Sequence, residues 1–247
     1  MELGRLRAVF FDAFGTLLDT EGLHLEATRR ILAMLGLEGR LSAEEFHERW
    51  DEHIWALWRS RHITGIMPLF RRGLELALAE RGFSIGPGEL EEAMDILFHT
   101  FWDGTRLFDG ARELLIFCQE LGLRTAVVSD ADPDLLRYVL DRHGLTGLLD
   151  ATVISDEVGT FKPDPRIFQL ALSAVGCGPG EALMVGDSLW RDVVGARRVG
   201  LMAALVLREP DGPLELPAGR EAPDIIVGHL VELKGPIAAL ARGPAQP

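Results

Sequence analysis

The chain has 247 residues, 47% hydrophobic and 26% charged, a composition too apolar for disorder and long enough for one large domain or two modest ones. Its 38 acidic residues outnumber 25 basic ones, for a formal charge of −13, so the chain as a whole offers no basic surface to displace counterions from a nucleic acid. No segment reaches the roughly 18–20 apolar residues of a membrane span, and none has the form of a signal peptide, so a soluble, cytoplasmic protein with no membrane partner is expected. Two thiols, Cys118 and Cys177, form no C-x-x-C pair and fit a reducing compartment.

Taken in chain order, the first element is the short apolar run Arg7-Ala8-Val9-Phe10-Phe11-Asp12, which predicts a strand buried on both faces. Residues 21–104 then show helix-period apolar positions, among them Leu25, Ile31, Leu32 and Leu35, then Leu74, Leu76, Ala77 and Leu78, with no convincing strand between. Strand runs return at 125–130, 182–187, 203–207 and 225–227. Between them Pro133 to His143, Pro165 to Val175 and Leu189 to Val199 read as helices stopped by Gly144, Gly176 and Gly200. Alternating strands and helices predict an α/β fold with a doubly wound parallel sheet, formed by 1–20 and 105–247, with 21–104 as an inserted helical cap. Such a cap would stand at the carboxyl edge of the sheet, where ligands bind in open α/β folds. The stretch 216–219 and the tail 243–247 read as loop and frayed end.

Three buried runs end in polar groups: Asp12, Ser129-Asp130 and Asp187. Parallel strands deliver their carboxyl ends to one rim, so these residues can converge across the sequence. Polar residues also cap strands for no reason beyond the start of a loop, but three carboxylate-bearing ends point to a site. Asp12 is followed by Ala13-Phe14-Gly15-Thr16-Leu17. Gly15 allows a tight turn, Thr16 can hold a carboxylate, and Asp12 needs no base to act as a nucleophile. Asp187 and Asp192, together with Asp12, offer hard oxygen ligands of the kind Mg²⁺ takes. Lys162, one of only two lysines beside Lys234, lies in Phe161-Lys162-Pro163-Asp164-Pro165 and could neutralise a substrate oxyanion.

These segments, in this order, resemble the four sequence motifs of the haloacid dehalogenase superfamily: Asp12-Ala13-Phe14-Gly15-Thr16-Leu17, Ser129-Asp130, Lys162-Pro163-Asp164, and Gly186-Asp187-Ser188 followed by Asp192, Gly195 and Ala196. The match spans nearly the whole chain, and the helical block is similar to that family's inserted cap of the first type. The resemblance implies that Asp12 forms a covalent intermediate and that Ser129 and Lys162 hold the transferring group; Thr16 and Asp130 are further candidates for contact with substrate. It also implies Mg²⁺ at Asp12, Asp187 and the carbonyl of Phe14, with Asp192 in or just behind the ligand shell.

One position departs from the pattern. Phosphatases of this superfamily usually carry a second aspartate two residues after the nucleophile as general acid and base; here it is Phe14. Losing such a group costs about 10²–10⁴-fold in rate. Three readings follow: a Mg²⁺-dependent phosphatase that is slow or takes good leaving groups, a protein that binds with little turnover, and a 2-haloacid dehalogenase. Dehalogenases of the family carry an aromatic residue at this place, and halide leaves without a proton. Arg59 or Arg61 could serve such a substrate, but dehalogenases replace the metal-binding Gly-Asp that this chain keeps at 186–187. A phosphonate-cleaving role, which uses a cap lysine, is excluded because 21–104 contains none.

Trp50, Trp55, Trp58 and Trp102 read as core or subunit interface, which leaves a homodimer open, and Trp190 is expected near the metal loop. The seven histidines show no H-E-x-x-H or other ligand spacing, which argues against zinc; His24, near the cap hinge, is the one singled out. No phosphate-binding glycine loop or dinucleotide fingerprint is present. The expected partner is a small-molecule substrate.

Overall fold

The computed structural model describes residues 5–60, 65–208, 217 and 219–243. In chain order the elements are β1 (Ala8–Phe11), β2 (Leu18–Asp19), four helices α1 (Leu23–Met34), α2 (Ala43–Ser60), α3 (Ile66–Glu80) and α4 (Pro87–Gly104), then β3 (Arg106–Leu107) and α5 (Ala111–Glu120). There follow β4 (Arg124–Ser129), α6 (Pro133–Arg142), β5 (Ala151–Ile154), α7 (Ser155–Val158), α8 (Pro165–Val175) and β6 (Ala182–Gly186). A wide π-type turn (Leu189–Val194) runs into α9 (Gly195–Arg198), and β7 (Met202–Val206), β8 (Ile225–Val227) and α10 (Lys234–Arg242) complete the described chain.

Six strands form one parallel sheet in the order β5-β4-β1-β6-β7-β8. Every residue of β1 and β6 is buried, as continuous apolar runs demand when helices cover both faces. Ala8 and Phe10 of β1 pack with Ala126 and Val128 of β4, Met184 of β6, and Ile167, Phe168 and Ala171 of α8, which follows from the period-2 alternation of strand side chains. Chain order moves outward from β1 through β4 to β5, then restarts on its other side at β6. This reversal opens a crevice at the carboxyl ends of β1, β4 and β6. The α/β doubly wound reading therefore holds.

Local signals set the element ends. Asp164 caps α8, accepting the Arg166 N–H at 2.9 Å, and Pro165 supplies a pre-set first-turn φ. The π-type turn replaces the first half of the helix expected over 189–199, because Val193 donates its N–H to Ser188 five residues back. Helices α5, α7 and α10 are not predicted from the pattern, and neither are three strands. β5 has only two fully buried residues at an edge of the sheet, and β2 pairs with β3 as a two-stranded antiparallel ribbon built from two residues each.

The chain divides into two compact units. One comprises 1–19, 106–130 and 140–247 and carries the parallel sheet. The other comprises 20–105 and 131–139, so the first part of α6, expected in the sheet domain, groups with the helices. The helical unit has its own core, in which Ile31, Trp50, Leu74, Leu78, Met94 and Leu97 are buried together. Among the described residues no helix is long and apolar enough to cross a membrane.

Candidate active site

The carboxyl end of β1 places Asp12, whose N–H donates to the Val185 carbonyl of β6 at 2.9 Å. The turn that follows is tight: the N–H groups of Leu17 and Leu18 both donate to the Ala13 carbonyl, at 2.9 and 2.8 Å. Gly15 sits within it at φ +87°, where a Cβ would collide with the Asp187 carboxylate. Glycine is therefore required twice over, for the left-handed backbone and for the approach of a charged group. Arg208 clamps the turn by donating to the carbonyls of Gly15 and, at 2.9 Å, Thr16, while its guanidinium lies 3.4 Å from the Phe108 ring centroid. No sequence motif pointed to Arg208, since a lone arginine after β7 carries no signal.

Lys162 is the hinge of the cluster. Its Nζ donates to Asp12 Oδ1 and to Asp192 Oδ1, both at 2.6 Å, and all three side chains are at least 95% buried. Burial works against its charge, but the carboxylates of Asp12, Asp192 and Asp130 outweigh that and hold the ammonium protonated beyond the usual lysine range. The Lys162 N–H donates to Asp130 Oδ1 at 2.9 Å. Asp130, assigned from sequence to substrate, thus ties down the backbone of the lysine loop. Its Oδ2 is buried without a hydrogen bond, 4.0 Å from the Arg191 guanidinium, and burial pushes its pKa up to about 6 against the pull of Lys162 and Arg191.

Asp192 is fully buried and accepts the Ser188 N–H on Oδ2 at 3.0 Å. A Cβ at Gly186 would overlap the Asp192 carboxyl, so the strand end stays bare to admit it. Asp187 accepts the Thr16 hydroxyl at 3.3 Å. Ligand oxygens of Asp12, Asp187 and Asp192 all lie within 4.8 Å of one another. Burial first, then the charges of Asp12 and Asp192, push the Asp187 carboxyl up to about 7. Burial likewise raises Asp192, with Lys162 opposing.

The donor set fits a hard divalent cation. Four carboxylates, Asp12, Asp130, Asp187 and Asp192, face Lys162 and Arg191, with Arg208 beside Asp187, and Asp187 is the acid of the metal-type trio left open to solvent. Mg²⁺ takes such a set, one or two carboxylates with water completing its shell. Ser129 is buried at the end of β4, but the hydrogen bonds tying the cluster run through Asp12, Asp130, Lys162 and Asp192, not through its hydroxyl. Phe14 is half-buried and bridges to Leu18. Trp190 is about half exposed and stacks with Arg198 at 4.6 Å, a surface contact. Arg59 lies exposed in the last turn of α2, and Arg61 falls outside the described residues.

A parallel sheet whose switch point gathers an aspartate turn, a buried lysine and an acidic pair defines a class of hydrolase. Residues 6–200 match the haloacid dehalogenase-like hydrolases, and the chain belongs to that family. A phosphoserine phosphatase of Thermus thermophilus is 35% identical over 190 residues, covering 74% of this chain and 72% of its own. The (S)-2-haloacid dehalogenase 4A of Burkholderia cepacia is 26% identical over 208 residues, covering 84% and 86%. Among solved structures, the HAD-hydrolase YfnB of Bacillus subtilis bound to magnesium superposes with a TM-score of 0.79 at 20% identity, covering 95% of this chain and all of that one. At that identity the likeness speaks for the fold.

Proposed function

We propose that this hydrolase is a Mg²⁺-dependent phosphatase acting on a small phosphorylated metabolite. The observation that carries the reading is the convergence of carboxylate oxygens from Asp12, Asp187 and Asp192 within 4.8 Å, two of the acids buried and Asp187 at the open edge, which a metal-free displacement of halide would not require. Asp12, Asp187 and Asp192, with the Phe14 carbonyl, would hold Mg²⁺, which when bound neutralises phosphoryl oxygens. Asp12 attacks phosphorus in line, the ester oxygen departs with the bonding pair, and an aspartyl-phosphate forms on Asp12. Lys162, held between Asp12 and Asp192, orients the nucleophile and offsets the charge that develops beside it. Water then attacks the same phosphorus, releasing phosphate and restoring the Asp12 carboxylate.

Phe14 supplies no proton to the leaving oxygen and takes none from the water. The reading therefore favours leaving groups stable as anions, such as acyl phosphates, and makes hydrolysis of the intermediate slow. The 35%-identical phosphoserine phosphatase supports phosphate release as the reaction, though not the preference for such leaving groups. The aromatic Phe14 and the likeness to a haloacid dehalogenase support the second reading, in which Asp12 displaces halide from a 2-haloacid. A panel of phosphorylated metabolites and 2-haloacids, each assayed with Mg²⁺ and with chelator, separates them. Phosphate release that requires Mg²⁺ supports the phosphatase. Halide release indifferent to chelator replaces it with the dehalogenase, and silence toward both leaves a binding protein.

A further inference from the structure

A second group of ligand-type side chains stands within the helical unit, away from any acid-rich loop. His24 lies in the first turn of α1, and His47 and Asp51 lie one turn apart on α2. His24 Nδ1 is 2.8 Å from Asp51 Oδ1, and His47 Nε2 is 3.6 Å from Asp51 Oδ2. The two imidazoles meet edge-on with centroids 4.6 Å apart, and one ligating atom from each of the three residues falls within 4.8 Å of the others.

Hydrogen bonding leaves this group incomplete. His47 Nε2 is beyond hydrogen-bond range of the carboxylate, and its Nδ1 is buried without a partner, as is His24 Nε2. The His24 ring is fixed from behind by Trp50 and Phe70, at 4.5 and 5.2 Å between centroids, and the Trp50 indole is itself anchored to the Phe70 carbonyl at 2.9 Å. On the other side Asp51 is 40% exposed, which provides a way in.

We propose that His24, His47 and Asp51 form a site for one zinc-class divalent transition-metal ion that cross-links α1 to α2. Metal–ligand bonds of about 2.0–2.1 Å in a tetrahedron put neighbouring ligands about 3.3 Å apart; one ligating atom from each residue already lies within 4.8 Å of the others, so small side-chain rotations close the site. Two imidazoles and a carboxylate suit zinc, nickel or cobalt, whereas the all-oxygen set of the sheet unit suits magnesium. Three protein ligands leave the fourth position to water.

The test uses the whole chain, stripped with chelator and then held in excess Mg²⁺. It is titrated with Co²⁺, read by visible absorbance and by the fluorescence of tryptophan, and zinc per chain is measured separately. One tight ion per chain is expected in the wild type and in Asp187→Asn, with the absorption of a tetrahedral nitrogen–oxygen site. His47→Gln and Asp51→Asn should each weaken binding by on the order of 100-fold while keeping the wild-type unfolding midpoint in chelator. Equal affinity in the wild type and in both variants would overturn the proposal, and so would loss of the ion in Asp187→Asn or its displacement by Mg²⁺, which would assign it to the acids of the sheet unit.

Discussion

Asp187→Asn isolates the crowding of carboxylates around the site. The side chain keeps its shape and can still accept from Thr16, but the charge is gone. A carboxyl whose folded pKa is about 7 against 3.8 when free costs about 4 kcal/mol to keep ionised in the folded chain. Solvent on the open side of Asp187 reduces that, so about 2 kcal/mol is the expected gain for the variant at pH 8 without metal. The folded pKa is raised, so the stability associated with Asp187 is intact below about 4 and is lost as pH climbs through about 7. The gap between variant and wild type should therefore shrink to less than half at pH 5. Mg²⁺ at pH 8 should stabilise the wild type and leave the variant nearly unmoved, since only the folded wild type binds it well. Urea unfolding at the two pH values, in chelator and in Mg²⁺, reads all of this. Equal midpoints for variant and wild type at pH 8 in chelator would show that the acids are not crowded, and the inference of a bound cation would lose its physical basis.

Asp12→Asn should abolish turnover and covalent labelling of the chain by acetyl phosphate, checked by intact mass, while Mg²⁺ still raises the melting temperature to a smaller extent. Lys162→Met leaves Asp12 and Asp192 buried without their shared cation, and such unpairing costs about 3–5 kcal/mol, measurable by denaturant unfolding in chelator. Phe14→Asp introduces a proton donor at the leaving group; turnover of alkyl phosphate esters should rise by up to about 10²–10⁴-fold, with little change for acetyl phosphate, whose carboxylate leaves unaided. Gly15→Ala strains a backbone at φ +87° by about 1–2 kcal/mol and pushes Asp187 outward, so Mg²⁺ affinity by calorimetry should fall along with stability.

Legibility in the sequence followed burial. The central strands β1 and β6 are uniformly apolar and β4 carries an apolar centre, Ala126 to Val128, because helices cover both faces, and each run leads to the acid that marks the rim, so fold and candidate site were visible together. The edge strand β5 has half its residues partly exposed, and its pattern dissolves into ordinary loop composition. Arg208 was missed because its partners are backbone carbonyls, which leave no trace in residue identity. The histidine group was missed for another reason: His24 and His47 belong to different helices, and the i, i+4 pair His47 and Asp51 is one imidazole and one carboxylate. A search for ligand spacing along one segment does not find a site assembled across two.

Phe14 and the acidic cluster point toward different chemistries, and energetics weigh one above the other. An aromatic side chain in a half-buried turn costs nothing to keep, and it is compatible with any displacement whose leaving group needs no proton. Buried carboxylates are different. Asp187 and Asp192 both have raised pKa values, from burial first and then from the charge of Asp12, and a chain with no use for a cation would be more stable with neutral residues in their place. A fold that carries such a penalty at a ligand-binding rim carries it where function needs the charge. On the phosphatase reading, Phe14 would restrict which leaving groups the site can handle, while the acids would select a transferring group that is an anion held beside a cation.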